Sequence, residues 1–252
     1  MSNKKTAKKT TNKHLPAEQR RAATVAAVLD LAARHNPGEI TTSAIAGEMD
    51  LTQGALFRHF PNKEAIWQAV MNWVADQLLK RVEKAARDAP TPLAALEAMF
   101  MAHVSFAVSH PGIPRILFNE LQHHRDSPAK IMVRNLVQRY RQRVIELLEA
   151  GKNAGQLAPE VEADSAAVLF VGMIQGLVVQ SLLAGGPEQM EAAAPGVFAL
   201  FKRGIAASGP AGDQSGTATG RGQGAPGRSN SGPGVANHRV YPGDQFQTGE
   251  SP

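Results

Sequence analysis

The sequence predicts an all-α fold, and three observations support that class. Apolar residues recur every three or four positions through most of the chain between residues 15 and 207, which is the spacing of one helix face. Proline, glycine and asparagine interrupt this pattern at intervals typical of helix lengths. No segment shows the sustained alternation of apolar and polar residues that a half-buried strand requires. About nine helices are therefore expected.

The 252 residues contain no cysteine and carry a formal net charge of +5. Without cysteine the chain has no disulfide framework, no thiol nucleophile and no cysteine-bearing zinc site. Residues 1–63 hold ten basic and five acidic side chains, whereas the remainder is balanced. A positive excess confined to the first quarter indicates a polyanionic partner, because clustered Lys and Arg attract phosphate backbones. The alternative is a solvated tail that only aids solubility.

Both ends of the chain have compositions that do not predict packed structure. Residues 1–14 are polar and lysine-rich, contain no acidic residue and lack the apolar stretch of a signal peptide, so they are predicted to be a disordered basic arm. Residues 208–252 are dominated by glycine, proline, serine, threonine and glutamine. They are predicted to be a disordered tail that carries no chemistry.

The first helix is predicted from Val25, Val28, Leu29 and Ala32, which recur at i, i+3, i+4 and i+7. Such a stripe buries one face of a helix against a core. The helix is expected to end at residues 36–38, where Asn-Pro-Gly is a stop signal.

Residues 40–50 predict a short second helix and a turn. Either Thr41 or Thr42 can cap this helix, because a threonine oxygen accepts a hydrogen bond from a free N–H group of the first turn. The helix runs through Met49, and Asp50 occupies the turn. Aspartate is one of the few side chains that tolerate a left-handed backbone, so it can serve where glycine is expected.

A third short helix follows the turn. Thr52 caps it, Leu56 and Phe60 anchor it in the core, and Pro61 ends it. Small residues at positions 54–55 leave its N-terminal end open to close approach by another surface. Two short helices joined in this way, the second presenting its N-terminus, form the helix-turn-helix that enters the DNA major groove.

Six further helices are predicted from the same signals. Four of them have approximate limits of 63–87, 91–109, 115–124 and 188–206, and another corresponds to the apolar stretch 166–184. The remaining helix begins at residues 127–128 and carries an apolar stripe from Val133 to Leu148. Prolines 111 and 114 are interpreted as an interruption between the helices 91–109 and 115–124. The segment 166–184 contains no charged residue, so it is formally long enough to span a membrane. It has polar residues inside and acidic flanks, which favour a helix buried in protein.

The run from Leu51 to Ile66, together with Ile45 and Ala46, resembles the N-terminal signature of the tetracycline-repressor (TetR) family of transcriptional regulators. The resemblance is strong over residues 22–70 and rests on the order of helices beyond that range. Asp50 replaces the usual turn glycine, and residue 57 is phenylalanine where the family usually has a tyrosine that touches a phosphate.

The resemblance implies roles for individual residues on double-stranded operator DNA. The residues expected to contact phosphates are Thr42, Thr52, His59 and Lys63. Those expected nearest the base edges are Gln53, Gly54, Ala55 and Arg58. Phe57 is expected to keep only an apolar contact. Glutamine can pair with adenine through two hydrogen bonds, and arginine can pair with guanine or hold a phosphate. The basic arm could add salt-dependent affinity or enter a minor groove.

The resemblance also implies a division of labour, with a DNA-binding domain at 15–62 and a helical dimerisation and ligand-binding domain at 63–207. A dimer is expected because one helix-turn-helix reads too little sequence alone. The expected dimer residues are Gly172, Gly176, Val179, Val197 and Phe201. The expected ligand contacts are Phe106, Phe118, Gln122, Met132, Leu136, Tyr140, Phe170 and Met173.

The function predicted from these residues is a cytoplasmic, nucleoid-associated repressor that a small-molecule inducer releases from DNA. The alternative is a DNA-bound protein of the same fold that acts through protein partners in chromosome organisation or division. A large apolar cavity between residues 95 and 180 would favour sensing, and a filled core would favour the partners. No catalytic motif or cofactor site is recognised, and the histidines at 103, 110, 123 and 124 lack the spacing of a metal site.

Overall fold

The computed structural model describes residues 16–122 and 127–207, which form nine α-helices, one turn of 3₁₀ helix and no β-strand. The all-α prediction is confirmed. The basic arm, the tail, His123 and His124 lie outside the described residues. The elements are α1 (Ala17–Arg34), the 3₁₀ turn (Pro37–Glu39), α2 (Thr42–Glu48), α3 (Gln53–Phe57), α4 (Lys63–Arg87), α5 (Pro92–Ser109), α6 (Gly112–Gln122), α7 (Pro128–Asn153), α8 (Ala163–Ala184) and α9 (Glu188–Ile205).

Side-chain caps fix the ends of the short helices. The Thr41 hydroxyl accepts a hydrogen bond from the backbone N–H of Ala44 at 3.1 Å, and the Thr52 hydroxyl accepts one from Ala55 at 3.2 Å. Asp50 has a left-handed backbone with φ of 56°. The predicted helix, turn and helix are therefore confirmed, together with the turn role of Asp50.

A continuous apolar core joins the helices. Leu56 and Phe60, predicted as core anchors, are at most 1% exposed, and so is Ile45 of α2. α4 packs on α1 as well as on α5 and α7, so it links the helix-turn-helix to the rest of the chain. α5 also packs on α7, α8 and α9. Where α5 meets α8, the Phe100 and Phe170 rings pack edge to face with their centroids 5.6 Å apart.

The break between α5 and α6 is shorter than the predicted interruption at prolines 111 and 114. α6 begins at Gly112, three residues before the predicted start, and Pro114 lies inside its first turn. A first-turn N–H has no partner within its helix, so the missing proton of proline costs nothing there. α8 likewise begins at Ala163, where the Glu162 carboxylate accepts hydrogen bonds from the backbone N–H groups of Asp164 and Ser165.

α8 was predicted to be a buried, self-associating helix, and within the single chain it is buried on one side. Self-association through its other side stays a prediction. Phe170 and Ile174 face the core, whereas Val168, Leu169 and Leu183 are 57%, 55% and 83% exposed. α5 and α8 are both long and apolar enough to cross a membrane by length and composition alone. Both pack against neighbouring helices in this fold, which is the arrangement of core helices in a helical protein.

Candidate DNA-binding surface and ligand cavity

α3 presents the side chains expected to face DNA. Gln53, Gly54 and Arg58 are exposed and Phe57 is 40% exposed, whereas Leu56 on the opposite side of the helix is 1% exposed. A Cβ built on Gly54 would meet no atom within 4 Å, so this position leaves room for an approaching surface. The short helix thus has one face in the core and one face open.

Two of the predicted DNA contacts bond to each other across the turn. The Gln53 amide donates a hydrogen bond to the Thr42 hydroxyl at 2.6 Å. The Ser43 hydroxyl donates to the Gln53 amide oxygen at 3.3 Å. Gln53 is therefore held at the junction of α2 and α3. No local signal in the sequence selects Ser43, because its contact depends on the angle between the helices.

Arg21 is a second residue that sequence reasoning did not select. Its guanidinium lies 4.9 Å from the centroid of the Phe60 ring, and its Nη1 donates to the backbone carbonyl of His59 at 3.4 Å. These contacts tie α1 to the end of α3. His59 and Lys63, two of the predicted phosphate contacts, lie between the end of α3 and the start of α4.

The described part of this domain carries no positive excess. Residues 16–63 hold five basic and five acidic side chains, and Arg34 pairs with Glu48 at 2.8 Å. The charge excess of the first quarter therefore comes from the five lysines at positions 4–13, which lie outside the described residues. This arm holds the densest run of positive charge in the first quarter of the sequence, which is the composition that attracts phosphate backbones.

A cavity of about 790 Å³ lies between α4, α5, α6, α7 and α8. Its size falls in the range of drug-sized binding cavities. Aliphatic and aromatic side chains make up most of the wall, and α6 alone supplies Ile113, Pro114, Leu117, Phe118 and Leu121.

Half of the eight predicted ligand contacts line this cavity. Phe106, Phe118, Leu136 and Tyr140 are in its wall. Phe170 instead packs against the rings of Phe100 and Phe201 in the core. The remaining three lie outside the wall, Gln122 exposed at the end of α6 and the two methionines half-buried against the core: Gln122, Met132 and Met173.

His103 and Tyr140 are neighbouring polar side chains in the cavity wall, with ring centroids 5.1 Å apart. Burial lowers the pKa of His103 to about 4 and raises the pKa of the Tyr140 hydroxyl, so both are neutral at pH 7. Among the described residues, neither His103 Nδ1 nor the Tyr140 hydroxyl has a hydrogen-bond partner. Unsatisfied buried polar atoms are rare and costly.

α6 connects the cavity to the helix-turn-helix domain. It packs on α1 and on the 3₁₀ turn while lining the cavity. At the α1 contact, a Cβ built on Gly112 would be 2.9 Å from the backbone nitrogen of Ala33 and closer still to the carbonyl oxygen of Leu29. Only glycine permits this approach without displacement.

The predicted dimer residues divide between two environments. Gly172, Gly176 and Val179 lie on the exposed side of α8, and a Cβ on either glycine would meet nothing within 4 Å in the chain. Val197 is half-buried on α9, whereas Phe201 is 4% exposed and packs against Phe170 in its own core. Sequence reasoning missed Val168, Leu169, Leu183 and Leu200, which extend the exposed apolar surface.

The described residues contain no group of three or more potential metal ligands. His110 Nδ1 instead lies 2.9 Å from the carbonyl oxygen of Phe106, and its ring packs on Trp73.

Two family models match separate parts of the chain. The model described as bacterial regulatory proteins, tetR family, matches residues 25–70, and the model described as tetracyclin repressor-like, C-terminal domain, matches residues 120–197. The first covers the helix-turn-helix and the start of α4. The second extends from the end of α6 to the middle of α9.

Similar proteins are found both in sequence and in structure. Nucleoid occlusion factor SlmA of Aliivibrio fischeri (strain MJ11) is 21% identical over 146 residues, which is 58% of this chain and 74% of that protein. The ketosteroid transcriptional regulator KstR2 of Mycobacterium tuberculosis aligns with a TM-score of 0.63 at 21% identity, covering 74% of this chain and 95% of that one.

The transcriptional regulator FadR from Bacillus subtilis, solved in complex with stearoyl-CoA, aligns with a TM-score of 0.64 at 18% identity and covers 73% of this chain and 98% of that one. At these identities the solved structures establish the fold. The two family models and the helix-turn-helix geometry establish the rest: the chain belongs to the TetR family of regulatory proteins and is a DNA-binding transcriptional regulator.

Proposed function

We propose that this regulator is a homodimeric repressor that binds double-stranded operator DNA in the cytoplasm, on the nucleoid, and leaves it when a small molecule enters the cavity. The observation that carries the proposal is the position of α6. One helix forms a wall of a 790 Å³ cavity and also packs on α1 of the DNA-binding domain.

The DNA contacts are proposed from exposure and position. Gln53, Gly54 and Arg58, with the partly buried Ala55, form the part of α3 nearest the bases, and Phe57 supplies an apolar contact. Around this face, we propose phosphate contacts from Thr42, Thr52, His59 and Lys63, as the family resemblance implies.

The dimer is proposed from the exposed apolar side of α8. Gly172, Gly176 and Val179 lie on it, and the small residues would let a helix of a second copy approach closely. Val197 on α9 would border the contact. Two-fold pairing would place two α3 helices on one operator, and their separation would set the half-site spacing.

The release step is proposed from the packing between cavity and domain. A ligand that fits one arrangement of α6 better than another shifts the population toward that arrangement. The shift would reach α1 through the glycine contact at Gly112, because packed helices move as units. Phe106, Phe118, Leu136 and Tyr140 are the proposed ligand contacts retained from the sequence. KstR2 is described as a ketosteroid transcriptional regulator and FadR was solved in complex with stearoyl-CoA, so two proteins of the same fold are associated with compounds that contain a large apolar part.

A second candidate function is action through protein partners, favoured by the similarity to nucleoid occlusion factor SlmA. The cavity argues for sensing instead, because a protein that acts only through its surface has no need of 790 Å³ of apolar space in its interior.

The test is a mobility-shift titration on DNA flanking the protein's own coding region, with and without a panel of metabolites and drugs. Release of a specific complex by one compound class supports the repressor. A specific complex that nothing in the panel releases would favour the partner-dependent function.

A further inference from the structure

Three polar side chains at the start of α2 and the start of α3 form one hydrogen-bonded chain. The Ser43 hydroxyl lies 3.3 Å from the Gln53 amide oxygen, and the Gln53 amide nitrogen lies 2.6 Å from the Thr42 hydroxyl oxygen. An amide oxygen only accepts hydrogen bonds, and an amide nitrogen only donates them. In this arrangement Ser43 therefore donates its proton to Gln53, and Thr42 accepts a proton from Gln53.

Gln53 keeps enough hydrogen-bonding capacity to read a base while it stays in this chain. The amide nitrogen has two protons and the amide oxygen has two lone pairs, so one donor and one acceptor remain after both contacts. A glutamine that pairs with adenine uses one donor, to N7, and one acceptor, from the N6 amino group. Gln53 and Ser43 are both exposed, so an approaching duplex can reach the amide.

A phosphate on Thr42 would fix the direction of the chain. A phosphate oxygen accepts hydrogen bonds, so the single hydroxyl proton of Thr42 would be donated to it. The Thr42 oxygen could then only accept from Gln53, which keeps the amide nitrogen beside Thr42 and the amide oxygen beside Ser43. Without the two hydroxyls the amide can turn by 180° at little cost, because a terminal amide torsion has broad, two-fold minima.

The orientation of the amide decides which base it accepts. Adenine presents an acceptor and a donor in the major groove, whereas guanine presents two acceptors, N7 and O6. An amide held in the adenine orientation would place its oxygen against O6 of guanine, where two acceptors meet without a proton. An amide that is free to turn can place its nitrogen there instead, so it discriminates less between the two purines.

We propose that Ser43 is a specificity-determining residue, which holds the Gln53 amide so that each operator half-site has adenine at the base that Gln53 faces. Ser43 is a positioning residue in this account, because it acts through Gln53 and needs no base contact of its own. The inference rests on the proposed function, since it requires α3 to face the bases and Thr42 to face a phosphate.

The experiment is selection from a pool of random DNA duplexes by the full chain, followed by sequencing of the bound DNA. Wild type is expected to select adenine at one position of each half-site, and Gln53→Ala is expected to lose selection at that position. Duplexes that differ only in adenine or guanine there are then compared by mobility shift. Wild type is expected to prefer adenine by about tenfold or more, which is the range of one bidentate pair.

Ser43→Ala is expected to reduce this preference for adenine by about threefold to tenfold, the equivalent of one hydrogen bond, with selection at other positions unchanged. Ser43→Thr retains a hydroxyl and is expected to retain the preference. Ser105→Ala is the matched control, because Ser105 is an exposed serine of α5, outside the helix-turn-helix. It is expected to select the same sequences as wild type.

A Ser43→Ala variant that selects the same bases as wild type, or that loses affinity equally for all sequences, would overturn the inference and leave the proposed function standing. A wild-type preference for another base at the Gln53 position would do the same. If wild type selects no sequence at all, both fail. If the adenine preference depends on Ser43 as expected but no compound releases the complex, the inference stands and the proposed release by a ligand fails.

Discussion

Replacing Gly112 with alanine tests the contact between α6 and α1, through which the cavity would act on the DNA-binding domain. The added Cβ would lie 2.9 Å from the Ala33 backbone nitrogen and 3.2 Å from the Ala32 Cβ, and closer than either to the Leu29 carbonyl oxygen. Two of these three neighbours are backbone atoms, so no rotamer change relieves the overlap.

The cost can be worked from this geometry. α6 has to move away from α1 by roughly 0.5–1 Å, and a gap of that size removes about a quarter to a half of the dispersion energy between the facing atoms. Overpacking of this kind costs about 1–3 kcal/mol, and alanine recovers up to ~1 kcal/mol through its higher helix propensity. Gly112 is the first residue of α6, so little of that recovery applies, and the free energy of unfolding of Gly112→Ala is expected to fall by about 1–3 kcal/mol.

The assay is urea unfolding followed by far-ultraviolet circular dichroism at one protein concentration, because dimerisation makes stability concentration-dependent. Gly47→Ala is the control: Gly47 is an exposed residue of α2, and a Cβ there would meet nothing within 4 Å. It is expected to gain about 0.4–1 kcal/mol. If Gly112→Ala is as stable as Gly47→Ala, α6 does not press on α1 and the proposed route fails.

Three further outcomes are expected. As pH falls from about 6.5 to about 4, the unfolded chain binds a proton at His103 that the native chain, with a pKa of about 4, does not bind, so the free energy of unfolding falls by roughly 3 kcal/mol across that window. His103→Phe should remove that part of the fall in urea titrations at stepped pH, and curves that stay parallel to wild type would exclude a neutral buried His103. Arg58→Ala is expected to weaken binding to the preferred DNA by about 1–3 kcal/mol in mobility shifts, with Arg139→Ala unchanged; equal affinity of wild type and both variants would assign Arg58 to solvent. Deleting residues 1–13 is expected to lower the slope of log affinity against log salt by about 0.9 for each phosphate that the arm neutralises, and an unaltered slope would remove the arm from the DNA complex.

The helix-turn-helix could be predicted from the sequence because its signals are local. Thr41 and Thr52 cap helices through bonds that span three residues, and Asp50 marks the left-handed turn within one residue. The start of α6 could not be predicted in the same way, because a proline in a first turn and a proline after a helix look alike in sequence.

Only half of the predicted ligand contacts line the cavity, because the same types of apolar side chain fill the core and line the cavity. Phe106 and Phe170 both lie in apolar stripes, yet one lines the cavity and the other packs against Phe100 and Phe201. The helix packing decides between these positions, and a stripe of apolar residues does not encode it. The Ser43 contact to Gln53 was missed for the same reason, since it joins two helices across a turn.

The most direct test of the central claim is the ratio of affinities for the preferred DNA and for shuffled DNA of equal length and composition, measured by mobility shift at physiological salt. A specific regulator with two α3 helices on one operator predicts a ratio of about 10³ or more. Equal affinity for both DNAs would contradict it, because binding would then depend on phosphates alone.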